Sequence, residues 1–226
     1  MTTPTTGPGS RYSRADVAAR ARAALSAGFV DLEGAIAQVS LAFTDEEQPP
    51  PGSVIPSIVR EVWQARLAEQ SRWRDEGDYT RLAAAFNNLA EWGMVARMNF
   101  TCCQTCGNDE IADERTPVPS DGYGGYMEWG YAYFHQQDTD RLTEGADLFL
   151  AYGTFAPITG LDPDLLARAD AGDAAARTQV MDASLVRAGT VVADALRYAG
   201  LGVTWDGTPG QRIAVTITDW RKRLPA

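Results

Sequence analysis

At 226 residues, with 45% apolar and 22% charged side chains and six tryptophans, the chain can fill one substantial core, or a small helical domain leading into a second one. The 30 acidic and 20 basic residues leave a formal charge of −10, which repels phosphate backbones and anionic lipid and argues against nucleic acid and membrane surfaces as partners. No segment supplies the roughly 18 unbroken apolar residues of a membrane span. The start, Met1 to Ser10, has neither the charged nor the apolar region of a secretory signal. A cytoplasmic protein is expected, in which the three cysteines stay reduced and their clustering points to metal or thiol chemistry before structural disulfides.

Residues 1 to 12 mix Thr, Pro, Gly and Ser without apolar periodicity and read as a disordered tail. A helical region over 13–77 follows. Its first helix runs from Arg14 to Ala27 on Ala/Arg propensity with Gly28 as C-terminal cap, and a second runs from an N-cap at Asp31 to Phe43. Three prolines between Thr44 and Gly52 mark a linker. Beyond it, Ile55, Ile58, Val59, Val62, Trp63, Leu67 and Trp73 fall at helical spacing and predict a long amphipathic helix with one buried stripe.

Residues 78–226 read as an α+β domain. Asp78 is expected to cap a helix that carries Tyr79, Leu82, Phe86 and Leu89 on one face and stops at Gly93. The period then changes to two: Met94, Ala96, Met98 and Phe100 alternate with Val95, Arg97 and Asn99, as in a strand. After the cysteines come a helix over Asn108 to Glu114 and a Pro/Gly loop over Thr116 to Gly125. Strands are expected at Trp129 to His135 and Asp147 to Tyr152, both central, followed by a helix from about Ala174 to Ala199. A hairpin built on Val203 to Trp205 and Arg212 to Ile217 closes the chain. The order predicts an α+β fold: a helical N-terminal part, then a mixed sheet of about five strands packed with helices.

The candidate chemistry is at Asn99 to Glu110, where Cys102, Cys103 and Cys106 form a vicinal pair plus a Cys-x-x-Cys at the end of the first strand. The only histidine, His135, ends another apolar stretch. If a right-handed crossover of about 28 residues joins the two strands, they lie parallel and end on the same sheet edge. Cys103, Cys106 and His135 would then converge as zinc ligands, with Asp138 or water completing a tetrahedron, and water making the site catalytic in type. A second reading is thiol chemistry without metal, with Cys103 or Cys106 favoured as thiolate at a helix N-terminus, His135 as proton partner, and Asp138 or Gln137 orienting it. In a third, the cysteines are small buried hydrophobes and His135 a satisfied core residue. With one histidine, any scheme needing two is excluded.

From about Asp78 onward the chain resembles a bacterial family known as a domain of unknown function. The resemblance is carried by Asn-Phe-Thr-Cys-Cys-Gln-Thr-Cys-Gly (99–107), Phe-His-Gln-Gln-Asp-Thr (134–139), Leu-Ala-Tyr-Gly (150–153), Trp-Asp-Gly (205–207) and the Asp-Trp-Arg-Lys-Arg-Leu end (219–224). It implies no activity and does not reach the N-terminal helices. The leading expectation is therefore a Cys/His site that binds a transition metal, with a thiol-based redox or nucleophilic enzyme and a noncatalytic acidic protein-interaction module as alternatives. The partner would be a small molecule or another protein. Aromatics between Tyr123 and Tyr133 could stack on a planar ligand, although such side chains are more often core.

Overall fold

The structure is a computed structural model and describes residues 12–45, 49–118, 125–145 and 147–225. The expected tail, apart from its last residue, lies outside the described residues, as do parts of the expected linker (46–48) and of the Pro/Gly loop (119–124). Two compact units form. One comprises the described residues up to Glu76 together with Arg221 onward, and the other is Gly77–Trp220.

The first unit is built from α1 (Arg14–Ser26), α2 (Leu32–Leu41) and α3 (Val54–Gln70). Ser13 and Asp31 each cap a helix by accepting a hydrogen bond from an orphan amide, that of Ala15 and that of Gly34. The apolar stripe of α3, Ile55, Ile58, Val59 and Trp63, packs into one core with Val17, Ala21 and Leu25 of α1 and Val39 of α2. Leu224 is buried in the same core, and the Arg223 guanidinium donates to the carbonyls of Gln70 and Trp73, each at 2.9 Å, satisfying acceptors at the end of α3. The Asp-Trp-Arg-Lys-Arg-Leu end is thus split between the two units after Trp220.

The second unit contains, in order, α4 (Asp78–Glu91), β1 (Met94–Arg97), α5 (Gln104–Glu110) with a 3-10 turn (Ile111–Glu114), β2 (Pro117–Val118), β3 (Gly125–Tyr126), β4 (Gly130–Tyr133) and α6 (Gln136–Asp140) with a second 3-10 turn (Arg141–Glu144). Then come β5 (Leu148–Thr154), α7 (Pro163–Asp170), α8 (Ala174–Tyr198), β6 (Gly202–Thr204) and β7 (Ile213–Thr216). Five strands form a mixed sheet in the order β1-β4-β5-β7-β6, and β2 pairs with β3 separately. The fold is α+β, with helices first and a five-stranded sheet packed with helices after them. Among the described residues no helix is long and apolar enough to cross a membrane.

β1 and β4 are parallel neighbours, Met94 opposite Gly130 and Arg97 opposite Tyr133, whereas every other pair in the sheet is antiparallel. Alternation sorts the side chains: Val95, Tyr133 and Ala151 pack with Ile111 of the 3-10 turn, and Phe134 meets Phe86 of α4 edge to face at 5.6 Å. α8 covers the sheet through small residues, and at Gly189 an added Cβ would fall 2.4 Å from the Trp205 ring. The strand expected to reach Phe100 stops at Arg97, because the backbone of Asn99 turns to φ 52° and that of Thr101 to φ 56°.

Asp78 corrects a second expectation. Gly77 occupies the N-cap position of α4, and Asp78 is the first helical residue with its carboxylate turned to the chain after β7. There Oδ2 accepts from the amides of Thr218 (2.7 Å) and Asp219 (2.8 Å) and from the Thr218 hydroxyl (3.2 Å), while Arg81 pairs with Oδ1. Burial pushes the Asp78 pKa up, but these donors and the guanidinium outweigh it and hold the group below the usual carboxylate range. A depressed folded-state pKa contributes stability that is complete above the unfolded value of about 3.9 and lost as pH falls through the folded value. Asp78→Ala should therefore destabilise the protein by about 2–3 kcal/mol at pH 7. In urea melts run from pH 7 to pH 2.5, the gap between wild type and variant should narrow in acid; a gap independent of pH would refute the assignment.

Candidate functional site

The parallel pairing of β1 and β4 does not end with the strands. Phe134 N donates to Arg97 O (3.4 Å), Phe100 N to Phe134 O (2.8 Å), Gln136 N to Thr101 O (3.1 Å) and Gln137 N to Cys102 O (3.4 Å), so the cysteine loop runs beside the start of α6. Thr139 Oγ1 donates to Asn99 Oδ1 at 2.8 Å, and Thr101 Oγ1 to the Cys103 carbonyl at 3.1 Å. An Asn adopts the left-handed region readily, but a β-branched Thr there is strained by roughly 1–3 kcal/mol. The strained residue immediately precedes the three cysteines.

Cys102 is exposed, and Cys103 and Cys106 are half-buried; all three are free thiols. Cys106 Sγ lies 3.5 Å from Cys102 Sγ and 3.7 Å from Cys103 Sγ, and all three sulfurs lie within 4.8 Å of one another. These distances are far beyond the 2.05 Å or so of a disulfide. The amide of Cys106, then the Cys106 and Cys102 thiols, lower the Cys103 pKa. Cys106, in hydrogen-bonding contact with the other two sulfurs, is pushed up to about 12 and stays protonated in neutral solution without metal.

Helix α5 is held down by Tyr133, whose hydroxyl sits 2.5 Å from Asn108 Oδ1 and 3.1 Å from Gln104 O. Its fully buried ring lies directly under Gly107, where an added Cβ would come within 2.5 Å of it. Burial raises the Tyr133 pKa to about 12, so the hydroxyl keeps its proton. The glycine that follows the Cys-x-x-Cys is therefore a contact requirement.

His135 and Asp138 take a different part. The His135 amide donates to Asp138 Oδ2 at 3.1 Å, and the ring Nδ1 stands 3.2 Å from the same oxygen. Arg212 binds both Asp138 oxygens, Nη1 to Oδ1 at 3.0 Å and Nη2 to Oδ2 at 2.5 Å, and also meets the Phe149 carbonyl. Both side chains of the His135–Asp138 pair are buried. Desolvation lowers the His135 pKa against the opposing pull of Asp138, leaving a neutral imidazole at pH 7. Of the expected ligands Cys103, Cys106 and His135, the structure gathers the two thiols; the third member of the cluster is Cys102, and His135 is not part of it. Asp138, expected beside the metal or orienting His135, stands 3.2 Å from the His135 Nδ1 and is itself held by Arg212. The Cys102–Cys106 spacing of four, one helical turn, was the available signal for Cys102, whereas nothing in the sequence links Arg212 to a carboxylate 74 positions away.

A family model described as a domain of unknown function, DUF6891, matches residues 11–224. The chain belongs to this family. The match includes the N-terminal helices, which the resemblance noted from the sequence did not reach. No curated protein and no solved structure matches the chain. Membership in DUF6891 brings no activity, so function is argued from the thiol cluster.

Gly107→Ala should move α5 off Tyr133 and destabilise the protein by about 1–3 kcal/mol. Gly125→Ala, where an added Cβ meets nothing within 4 Å, should be near neutral. Equal urea midpoints for the two variants would contradict the contact.

Proposed function

We propose that this chain binds one thiophilic transition-metal ion, most simply zinc, through Cys102, Cys103 and Cys106. The observation that carries the reading is the sulfur geometry. Two thiolates on one zinc, each about 2.3 Å from it at a tetrahedral angle, stand about 3.8 Å apart, and the pairs here are at 3.5 and 3.7 Å. An all-sulfur set selects zinc or copper(I) over magnesium, calcium or manganese. With three protein ligands and Cys102 exposed, the fourth position faces solvent, the arrangement of zinc sites that take up water or a substrate. A bound ion would hold all three thiols deprotonated, including Cys106.

In this reading His135, Asp138 and Arg212 support the loop that carries the thiols. Asp138 lies on the segment whose amides hold the cysteine loop, and Arg212 anchors its carboxylate, so their part is to position the loop. A metal-free reading keeps the same residues: Cys103 and Cys106 as a reversible dithiol pair, favoured by their 3.7 Å separation and partial exposure. The surface charge of −10 suits a cytoplasmic protein that avoids nucleic acid and membranes.

Protein purified without a metal-affinity step, incubated with zinc and desalted, should retain about one equivalent by elemental analysis. A Cys102→Ser, Cys103→Ser, Cys106→Ser variant should retain none, and His135→Gln should retain wild-type metal. Near-zero metal in wild type would overturn the proposal in favour of the dithiol. Loss of metal in a folded His135→Gln variant would restore the histidine to the ligand set.

A further inference from the structure

At the other end of β1 and β4 from the thiols lies a cleft of about 970 Å³, at the upper end of the size range of small-molecule sites. Its walls come from four separate parts of the unit: Trp92 after α4, Arg115 after the 3-10 turn, Tyr126 of β3 with Trp129 before β4, and Phe155 after β5; Arg187 of α8 faces them. The aromatic surface is open and fixed. Trp92 is 48% exposed and Tyr126 50% exposed, and the Trp129 indole N–H donates to the Trp92 carbonyl at 2.9 Å. Tyr and Trp are enriched at binding interfaces, and a planar ring would offer these faces the largest contact.

The charges converge as well. The Arg115 guanidinium sits over the Tyr126 ring at 3.8 Å and the Phe155 ring at 4.6 Å, with Nε donating to the Ala112 carbonyl at 2.9 Å. A guanidinium stacked this way is oriented before any ligand arrives. Arg187 has no ion-pair partner among the described residues. The two acids of the cleft are already engaged: Glu128 accepts from the Thr116 amide at 2.8 Å and Asp194 pairs with Arg197 at 3.3 Å. In a chain with ten more acids than bases, the cleft's two cations balance its two carboxylates, so the lining escapes the excess of negative charge.

We propose that this cleft binds a small aromatic anion, its ring against Trp92 and Tyr126 and its carboxylate or phosphate met by Arg115 and Arg187. This does not depend on the metal reading, since none of the lining residues belongs to the thiol cluster. The test is isothermal titration calorimetry with three probes: 2-naphthoate, 1-naphthyl phosphate and the neutral 2-naphthalenemethanol. At least one anion should bind saturably at a single site, and the neutral analogue about tenfold more weakly. Which anion binds more tightly separates a carboxylate ligand from a phosphate one. Arg187→Gln should weaken the preferred anion about tenfold with an unchanged unfolding midpoint, Trp92→Ala should weaken all probes, and the exposed Arg72→Gln should weaken none. No heat from either anion at millimolar concentration would overturn the proposal. So would equal affinity for the neutral analogue, or an Arg187→Gln variant that binds like wild type.

Discussion

The thiol cluster depends on a backbone interaction, the parallel pairing of β1 with β4 and its continuation past both strand ends. Amide-to-carbonyl bonds from Phe100 to Phe134, Gln136 to Thr101 and Gln137 to Cys102 carry the ladder five residues beyond Arg97. A loop tied down in this way can keep Thr101 at φ 56°, since leaving the strained conformation would break bonds on both sides of it. That backbone turn brings Cys102 and Cys103 round to Cys106 on the first turn of α5. Without it, a continuing strand would send successive side chains to opposite faces of the sheet.

The charge pair of Asp138 and Arg212 crosses from α6 to the chain entering β7 and also reaches β5 through the Phe149 carbonyl. A buried ion pair adds little net stability once desolvation is counted, but losing one partner leaves a charge stranded in a poor solvent. Such a pair specifies position more than it stabilises. His135 completes the packing as a neutral ring with Nδ1 toward the carboxylate. Asp78 plays a comparable part elsewhere in the unit, joining the start of α4 to Thr218 and Asp219.

Much of the fold was legible because periodicity and capping act locally. The apolar stripes of α3, α4 and α8, the Asp31 cap, the central strands β4 and β5 and the β6–β7 hairpin all follow from spacing within a few residues. Reading failed where distant partners decide. Alternation continued through Met98 and Phe100, so the end of β1 was invisible until Asn99 and Thr101 were seen in the left-handed region. Asp78 has the composition of a cap, yet donors 140 residues away captured its carboxylate. Helix α7 has a local signal, the helix-start pattern of Asp162 followed by Pro163. The site was legible as a place, the carboxyl ends of two parallel strands, and the thiol cluster found there contains the expected Cys103 and Cys106 together with Cys102. Topology puts His135 near the cysteines, but only packing decides that its ring faces Asp138.

In the proposed site three sulfurs, and no imidazole, hold the ion. Zinc K-edge X-ray absorption on the zinc-loaded wild-type protein tests it most directly, because sulfur and nitrogen shells separate by about 0.2–0.3 Å. Three sulfurs at about 2.3 Å with one lighter oxygen-type ligand are expected. A shell of two sulfurs with an imidazole scattering pattern, or one of nitrogen and oxygen only, would contradict it.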